Sequence, residues 1–186
     1  MTPIRAFIAI EIADEIRQKI DAFQAELKRS SDRISWTKSQ NIHLTLKFLG
    51  EVQQNQIDVI ANQLQMVTEP MTSFIISIHG VGLFPSPKKP RVLWAGVQDF
   101  GNELLDLAEK VDDYLSRVGV AGEKRSFKPH LTLGRVKAQL SRHFVENFLN
   151  TSFACGNQNV HEVVLMQSQL HPKGAIYTPL VKFRLT

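Results

Sequence analysis

Apolar residues recur along the chain in two rhythms, and the change from one to the other marks out its elements. Ile4 to Ile12 alternates as a strand and is apolar on nearly both faces, so a central place in a sheet is expected. Ile16, Ile20, Phe23 and Leu27 follow at helical spacing, ended by Ser30-Ser31-Asp32. Ile34 to Trp36 leads into a second alternating run, Asn41-Ile42-His43-Leu44-Thr45-Leu46-Lys47-Phe48. A second helical stripe is Ile57, Ile60, Leu64 and Val67, with Asn55 as the expected N-cap and Pro70 beyond its end. Phe74, Ile76 and Ile78 alternate as a strand.

The same order then returns. Val92 to Val97 reads as a strand, and Leu104, Leu107, Val111, Leu115 and Val118 as a helix closed by Gly119. The run Pro129-His130-Leu131-Thr132-Leu133-Gly134-Arg135 alternates again, followed by a short helix over Phe144, Val145, Phe148 and Leu149 capped by Ser141. Strands over Val163 to Leu170 and Ile176 to Leu185 finish the chain. Strand, helix, His-x-Thr strand, helix, strand thus occurs twice, with His43 and His130 just under half the chain apart. This pattern predicts an internal duplication about an approximate two-fold axis, which would bring the two polar strand faces together across a cleft.

Side chains two apart on a strand share a face, so His43 and Thr45 lie together, as do His130 and Thr132. Ile42, Leu44, Leu46 and Phe48 are expected on the opposite, apolar face. A lone histidine in a strand is more often packed or superficial than catalytic, but two His-Thr pairs on equivalent elements of a repeat describe a symmetric site. In-line displacement at a phosphodiester needs a proton taken on one side of phosphorus and another given on the other side. Histidine serves both roles near neutrality, and threonine hydroxyls can hold the non-bridging oxygens. No metal or other cofactor is required. No Asp or Glu lies within either motif and threonine is a poor ligand for zinc or copper, which argues against a bis-histidine metal centre. No nucleophile elbow for a serine hydrolase is present.

Composition narrows the setting. With 186 residues, 43% hydrophobic and 22% charged, the chain has the make-up of a globular protein. The charge of +4 is compatible with a polyanionic ligand without demanding one. Its most basic stretch is the proline-rich loop Phe84 to Arg91, carrying Lys88, Lys89 and Arg91, which reads either as a solvated turn or as a phosphate-tracking edge. Cys155, the single cysteine, excludes an internal disulfide and reads as a buried thiol. With neither an export signal nor a membrane span in the sequence, a cytoplasmic monomer is expected. His79, His143, His161 and His171 have structural or solvated readings, although His171 and Lys173 could brush a ligand.

The duplicated His-x-Thr-Leu, with Phe7-Ile8-Ala9-Ile10 ahead of it, Phe127-Lys128-Pro129-His130 later, Pro90 to Val97 and Gly174-Ala175-Ile176-Tyr177, resembles the 2H phosphoesterases. Within them it is similar to the RNA 2′,3′-cyclic phosphodiesterases, also called 2′-5′ RNA ligases, and this implies an α+β, bilobal pseudo-two-fold fold, with two mainly antiparallel sheets flanking a cleft, helices outside, and residues 1–186 forming a single bilobal domain. The resemblance implies hydrolysis of a 2′,3′-cyclic phosphate, on an RNA end such as a tRNA fragment or on a cyclic nucleotide, to a 2′-phosphomonoester. It implies His43 as proton donor to the leaving 3′ oxygen, His130 as proton acceptor from water, and Thr45 and Thr132 as phosphate ligands. Reverse 2′-5′ joining of RNA ends is implied as a side activity. Arg135 matches a phosphate-contacting position, yet strict alternation puts it on the face opposite His130 unless the strand bends at Gly134. Phe7, Trp36 and Phe84 are candidates for stacking on a base, core packing being the simpler assignment for each. The alternatives are a phosphodiesterase for 2′-5′ oligoadenylate or another small cyclic nucleotide, and a non-catalytic module that binds RNA ends.

Overall fold

The computed structural model describes residues 3–30, 32–172 and 174–186. Its strands are β1 (Ile4–Glu11), β2 (Ile34–Trp36), β3 (His43–Val52), β4 (Phe74–Phe84), β5 (Val92–Asp99), β6 (His130–Val136), β7 (Ala154–Val160), β8 (Glu162–Gln169) and β9 (Ile176–Arg184). The α-helices are α1 (Asp14–Leu27), α2 (Ile57–Thr68), α3 (Glu103–Ser116) and α4 (Arg142–Leu149). The fold is α+β, and the strands form one curled antiparallel sheet in the order β7-β4-β5-β6-β3-β1-β8-β9, with β2 beside β6. The two expected sheets are its halves, β3-β1-β8-β9 and β6-β5-β4-β7, joined where Leu44 pairs with Leu131. No helix among the described residues is long and apolar enough to cross a membrane.

The helical stripes are buried as their spacing requires: Ile16, Ile20 and Phe23 on α1, Ile57, Ile60, Leu64 and Val67 on α2, Leu104, Leu107, Val111 and Leu115 on α3. Ser141 caps α4 by accepting from the Phe144 N–H, and Gly119 turns the chain beyond α3 at φ +87°. Strand β1 is central, between β3 and β8, with Ala6, Ile8 and Ile10 in the main core and Phe7 and Ala9 in a smaller cluster with Val164 and Met166. Asn55 is not a cap. A single turn over Gln54–Gln56 precedes α2, and the Gln56 side chain accepts from the Gln53 N–H.

The linear repeat and the spatial halves do not coincide. β4 and β7 both belong to the half built on β5, while β8 and β9 return to complete the half built on β1. The helices also cross over. Helix α1 leaves β1 but lies against the other half: Phe23 stacks on Phe153, Lys19 Nζ donates to the Cys155 carbonyl, and the Gln24 amide donates to the Leu133 carbonyl. Helix α3 leaves β5 and packs against β3, where the Lys47 ammonium pairs with Asp112 and donates to the Ala121 carbonyl. Periodicity specifies that a helix face is buried, not which sheet buries it.

Lys47 is 4% exposed and would be an unpaired buried charge without its partners. Burial opposes ionisation of Asp112, but the Lys47 ammonium and the Glu123 N–H outweigh it and hold the carboxyl below its ordinary value. Removing one member of such a pair costs about 3–5 kcal/mol, whereas an apolar replacement for the buried member is often near neutral. Asp112→Ala is therefore expected to destabilise the protein by about 3 kcal/mol and Lys47→Met by much less, as read from urea midpoints.

Candidate active site

Both His-x-Thr segments begin their strands at the joint between the halves. The pairing is antiparallel through Leu44 and Leu131, and that register sets His43 across from Thr132 and Thr45 across from His130. Leu44 and Leu131 are fully buried, while all four polar residues are half-buried on the opposite face. The two-fold relation runs through this joint, and it brings the four expected residues together over one groove.

Each imidazole is held the same way. His43 Nδ1 lies 2.8 Å from the Asn41 carbonyl, and His130 Nδ1 lies 2.6 Å from the Lys128 carbonyl. A carbonyl only accepts, so each Nδ1 carries the hydrogen and each Nε2 is left for proton exchange. Asn41 is itself anchored, its Nδ2 donating to the Ala175 carbonyl at 2.7 Å.

The surroundings of the rings differ. His43 is enclosed by Phe7, 4.7 Å between centroids, and by Tyr177, edge-on at 5.1 Å. His130 meets Phe84 edge-on at 4.9 Å, and Phe84 leans on Trp94. Burial pushes His43 down from 6.5 to about 4. The bond to Asn41 works the other way, and the charges of Arg17 and His130 add to the depression.

Strict alternation fails in both strands, at equivalent places. Ala9 pairs with Thr45 but Ile8 with Lys47, so Leu46 is an extra residue; Trp94 pairs with Thr132 but Leu93 with Gly134, so Leu133 is an extra residue. Each bulge puts two consecutive residues on the core face, Leu46 with Lys47 and Leu133 with Gly134. The following residue then returns to the groove face. Arg135 accordingly lies on the side of His130 and Thr132, exposed, and the alternation that placed it opposite is overturned by the bulge at Leu133. Phe48, expected in the core, is 63% exposed on the groove face for the same reason. The freed carbonyl of Leu133 accepts from the Thr37 N–H and from the Gln24 amide, which is 1% exposed. Gly134 is needed here, because a Cβ would lie 2.7 Å from the Ile34 side chain.

Of the stacking candidates, Phe7 is 2% exposed and packs on His43, Phe84 is half-buried beside His130, and Trp36 faces the core beneath Gly134. Tyr177, on His43, was visible in the sequence only as part of Gly174-Ala175-Ile176-Tyr177. His79 bonds Gln98 and His143 bonds Asn147, while Lys173 is outside the described residues. Burial pushes the Cys155 thiol up to about 11 against the pull of Lys19, leaving no thiolate near neutrality. Among the described residues, no three His, Cys, Asp or Glu side chains are grouped to hold a metal ion.

The model of the family described as LigT like Phosphoesterase matches residues 10–94 and 96–177. The RNA 2′,3′-cyclic phosphodiesterase of Archaeoglobus fulgidus is 40% identical over 182 residues, spanning 97% of this chain and 99% of its own. That of Methanothermobacter thermautotrophicus is 34% identical over 184 residues, spanning 98% and 99%. Among solved structures, a protein of Thermus thermophilus superposes with a TM-score of 0.85 at 28% identity, covering 97% of each chain. Escherichia coli LigT complexed with 3′-AMP superposes with a TM-score of 0.80 at 27% identity, covering 99% of each chain. A family match across both halves, joined to paired His-x-Thr strands at one groove, means that the chain belongs to the LigT-like phosphoesterases.

Proposed function

We propose that this protein is a metal-independent RNA 2′,3′-cyclic phosphodiesterase, opening a 2′,3′-cyclic phosphate to a 2′-phosphomonoester with His43 as proton donor and His130 as proton acceptor. The observation that carries the reading is the Leu44–Leu131 pairing, which sets two imidazoles and two hydroxyls around one groove. The names of the full-length relatives and the 3′-AMP held by Escherichia coli LigT support the substrate class.

In this mechanism the phosphorus sits between the rings. His130 Nε2 takes a proton from water as its oxygen attacks phosphorus. The bond to the 3′ oxygen breaks on the far side, and His43 Nε2–H supplies that oxygen with a proton. Thr45 and Thr132 donate to the non-bridging oxygens, and Arg135 balances their charge. His43 at about 4 is neutral in the free protein near neutrality, so the donor must be charged by the substrate itself. A single negative charge about 4 Å from the ring contributes about 4 kcal/mol at an effective dielectric of about 20, or about three pKa units. That matches the distance from 4 back to the neutral range. Phosphate binding thus favours proton uptake by His43.

His43→Ala and His130→Ala should each lower turnover of 2′,3′-cyclic AMP by about 10²–10⁴ with unchanged circular dichroism, and wild-type turnover should persist in EDTA. A substrate with sulfur in place of the leaving 3′ oxygen needs no proton from the enzyme. It should restore His43→Ala and not His130→Ala; the opposite result exchanges the two roles. Faster turnover of a 2′-5′ diadenylate would transfer the reading to the oligoadenylate class.

The ring protons of His43, followed by NMR, should titrate near pH 4 in the free protein. Inorganic phosphate should move the midpoint upward by at least one unit. A midpoint indifferent to phosphate would break the link between anion binding and protonation.

A further inference from the structure

The groove has two unlike banks, although the strands that form them are equivalent. On the β3 side the residue after the bulge is Phe48, set beside Phe7, Tyr177 and the apolar cluster of Ala9, Val164 and Met166. Among the described residues of that half, Lys182 is bonded to both Glu11 and Glu162, while Arg5 and Arg184 are exposed at the start of β1 and the end of β9. On the β6 side the equivalent residue is Arg135. One further alternation along the strand brings Lys137, whose N–H donates to the carbonyl of Arg33 on the chain entering β2. Pairing of Ser35 with Arg135 and continuation of that register to Arg33 and Lys137 set Arg33 on the same face. The β4–β5 turn, with Lys88, Lys89 and Arg91, ends beside this corner, because Phe84 pairs with Val92 and Val92 with Arg135. Six exposed cations therefore meet at one end of the β6 half, and among the described residues none of them is ion-paired. The neighbouring carboxylate, Asp32, is occupied by the N–H and hydroxyl of Ser141.

We infer that this corner is a binding track for the body of a single-stranded RNA, whose phosphates run from the terminal nucleotide at the histidines across Arg135 toward Arg33, Lys137, Lys88 and Lys89. The inference rests on the proposed function for the position of the RNA end. A cyclic-phosphate terminus has chain only on its 5′ side, so a single cationic exit suffices, and the aromatic bank opposite, with Phe7, Phe48 and Tyr177, leaves the terminal nucleoside as its occupant. A cyclic mononucleotide would not reach the track. Arg91 precedes Val92 and so points to the other face of the sheet edge, which leaves it a contribution through long-range field alone.

The test uses the fourfold variant Arg33→Gln, Lys88→Gln, Lys89→Gln, Lys137→Gln, all at exposed positions. Two readouts are taken: kcat/KM on 2′,3′-cyclic AMP against an eight-nucleotide RNA with the same end, and binding of a fluorescein-labelled eight-nucleotide RNA bearing a 3′-phosphate at several salt concentrations. Wild-type protein should prefer the oligomer, with log Kd rising by about 0.7 per decade of salt for each phosphate contacted, hence a slope near 2 for three contacts. The variant should bind the oligomer at least tenfold more weakly with a flattened slope and turn over the cyclic mononucleotide unchanged. Equal loss on both substrates, or undiminished oligomer binding in the variant, overturns the track. Failure of the wild type to turn over either substrate would instead overturn the proposed function, while the binding series still decides the track.

Discussion

The arrangement of the site depends on one short contact between two strand starts. Leu44 and Leu131 form the joint between the two halves of the sheet, and everything chemical lies on the face above them. So brief a ladder cannot hold two half-sheets in register by its own hydrogen bonds. The crossed helices supply what the joint lacks. Helix α1, running from the β1 half, bonds the carbonyl at the β6 bulge through Gln24, and α3, running from the β5 half, neutralises the buried Lys47 at the β3 bulge. Each half is thus covered by a helix that the other half sends across, and the groove is fixed from both sides of the core.

Duplication gives the groove its paired parts, and departures from duplication give it direction. The Nδ1 atoms are committed to the carbonyls two residues back in both strands, so the two rings offer Nε2 alike. Enclosure by Phe7 and Tyr177 then depresses the proton affinity of His43, since desolvation penalises the imidazolium. The bulges extend the asymmetry outward by presenting an aromatic ring at one bank and a guanidinium at the other.

The elements that the sequence displayed were those whose side chains alternate or stack by their own spacing. Strand β7 escaped, because Ala154-Cys155-Gly156-Asn157-Gln158-Asn159-Val160 carries little apolar pattern and is a strand only through backbone pairing with β4. The position of Arg135 was ambiguous for a related reason: a bulge exists only relative to a partner strand, and β5 is not adjacent to β6 in the chain. Gln24 looked like an ordinary polar residue beside a helical stripe, since the carbonyl that recruits it belongs to β6.

Local pattern therefore determined the helices, the central strand and the two His-x-Thr faces, because a strand's period of two and a helix's of 3.6 are written within a few residues. The two motifs also determined the family and the chemistry expected of it. Which strands join, where the pairing slips by a residue and which half each helix covers were decided only in the folded chain. Those choices depend on competition among surfaces far apart in sequence, and they are what turned two similar strands into one groove with a depressed histidine, an aromatic bank and a cationic one.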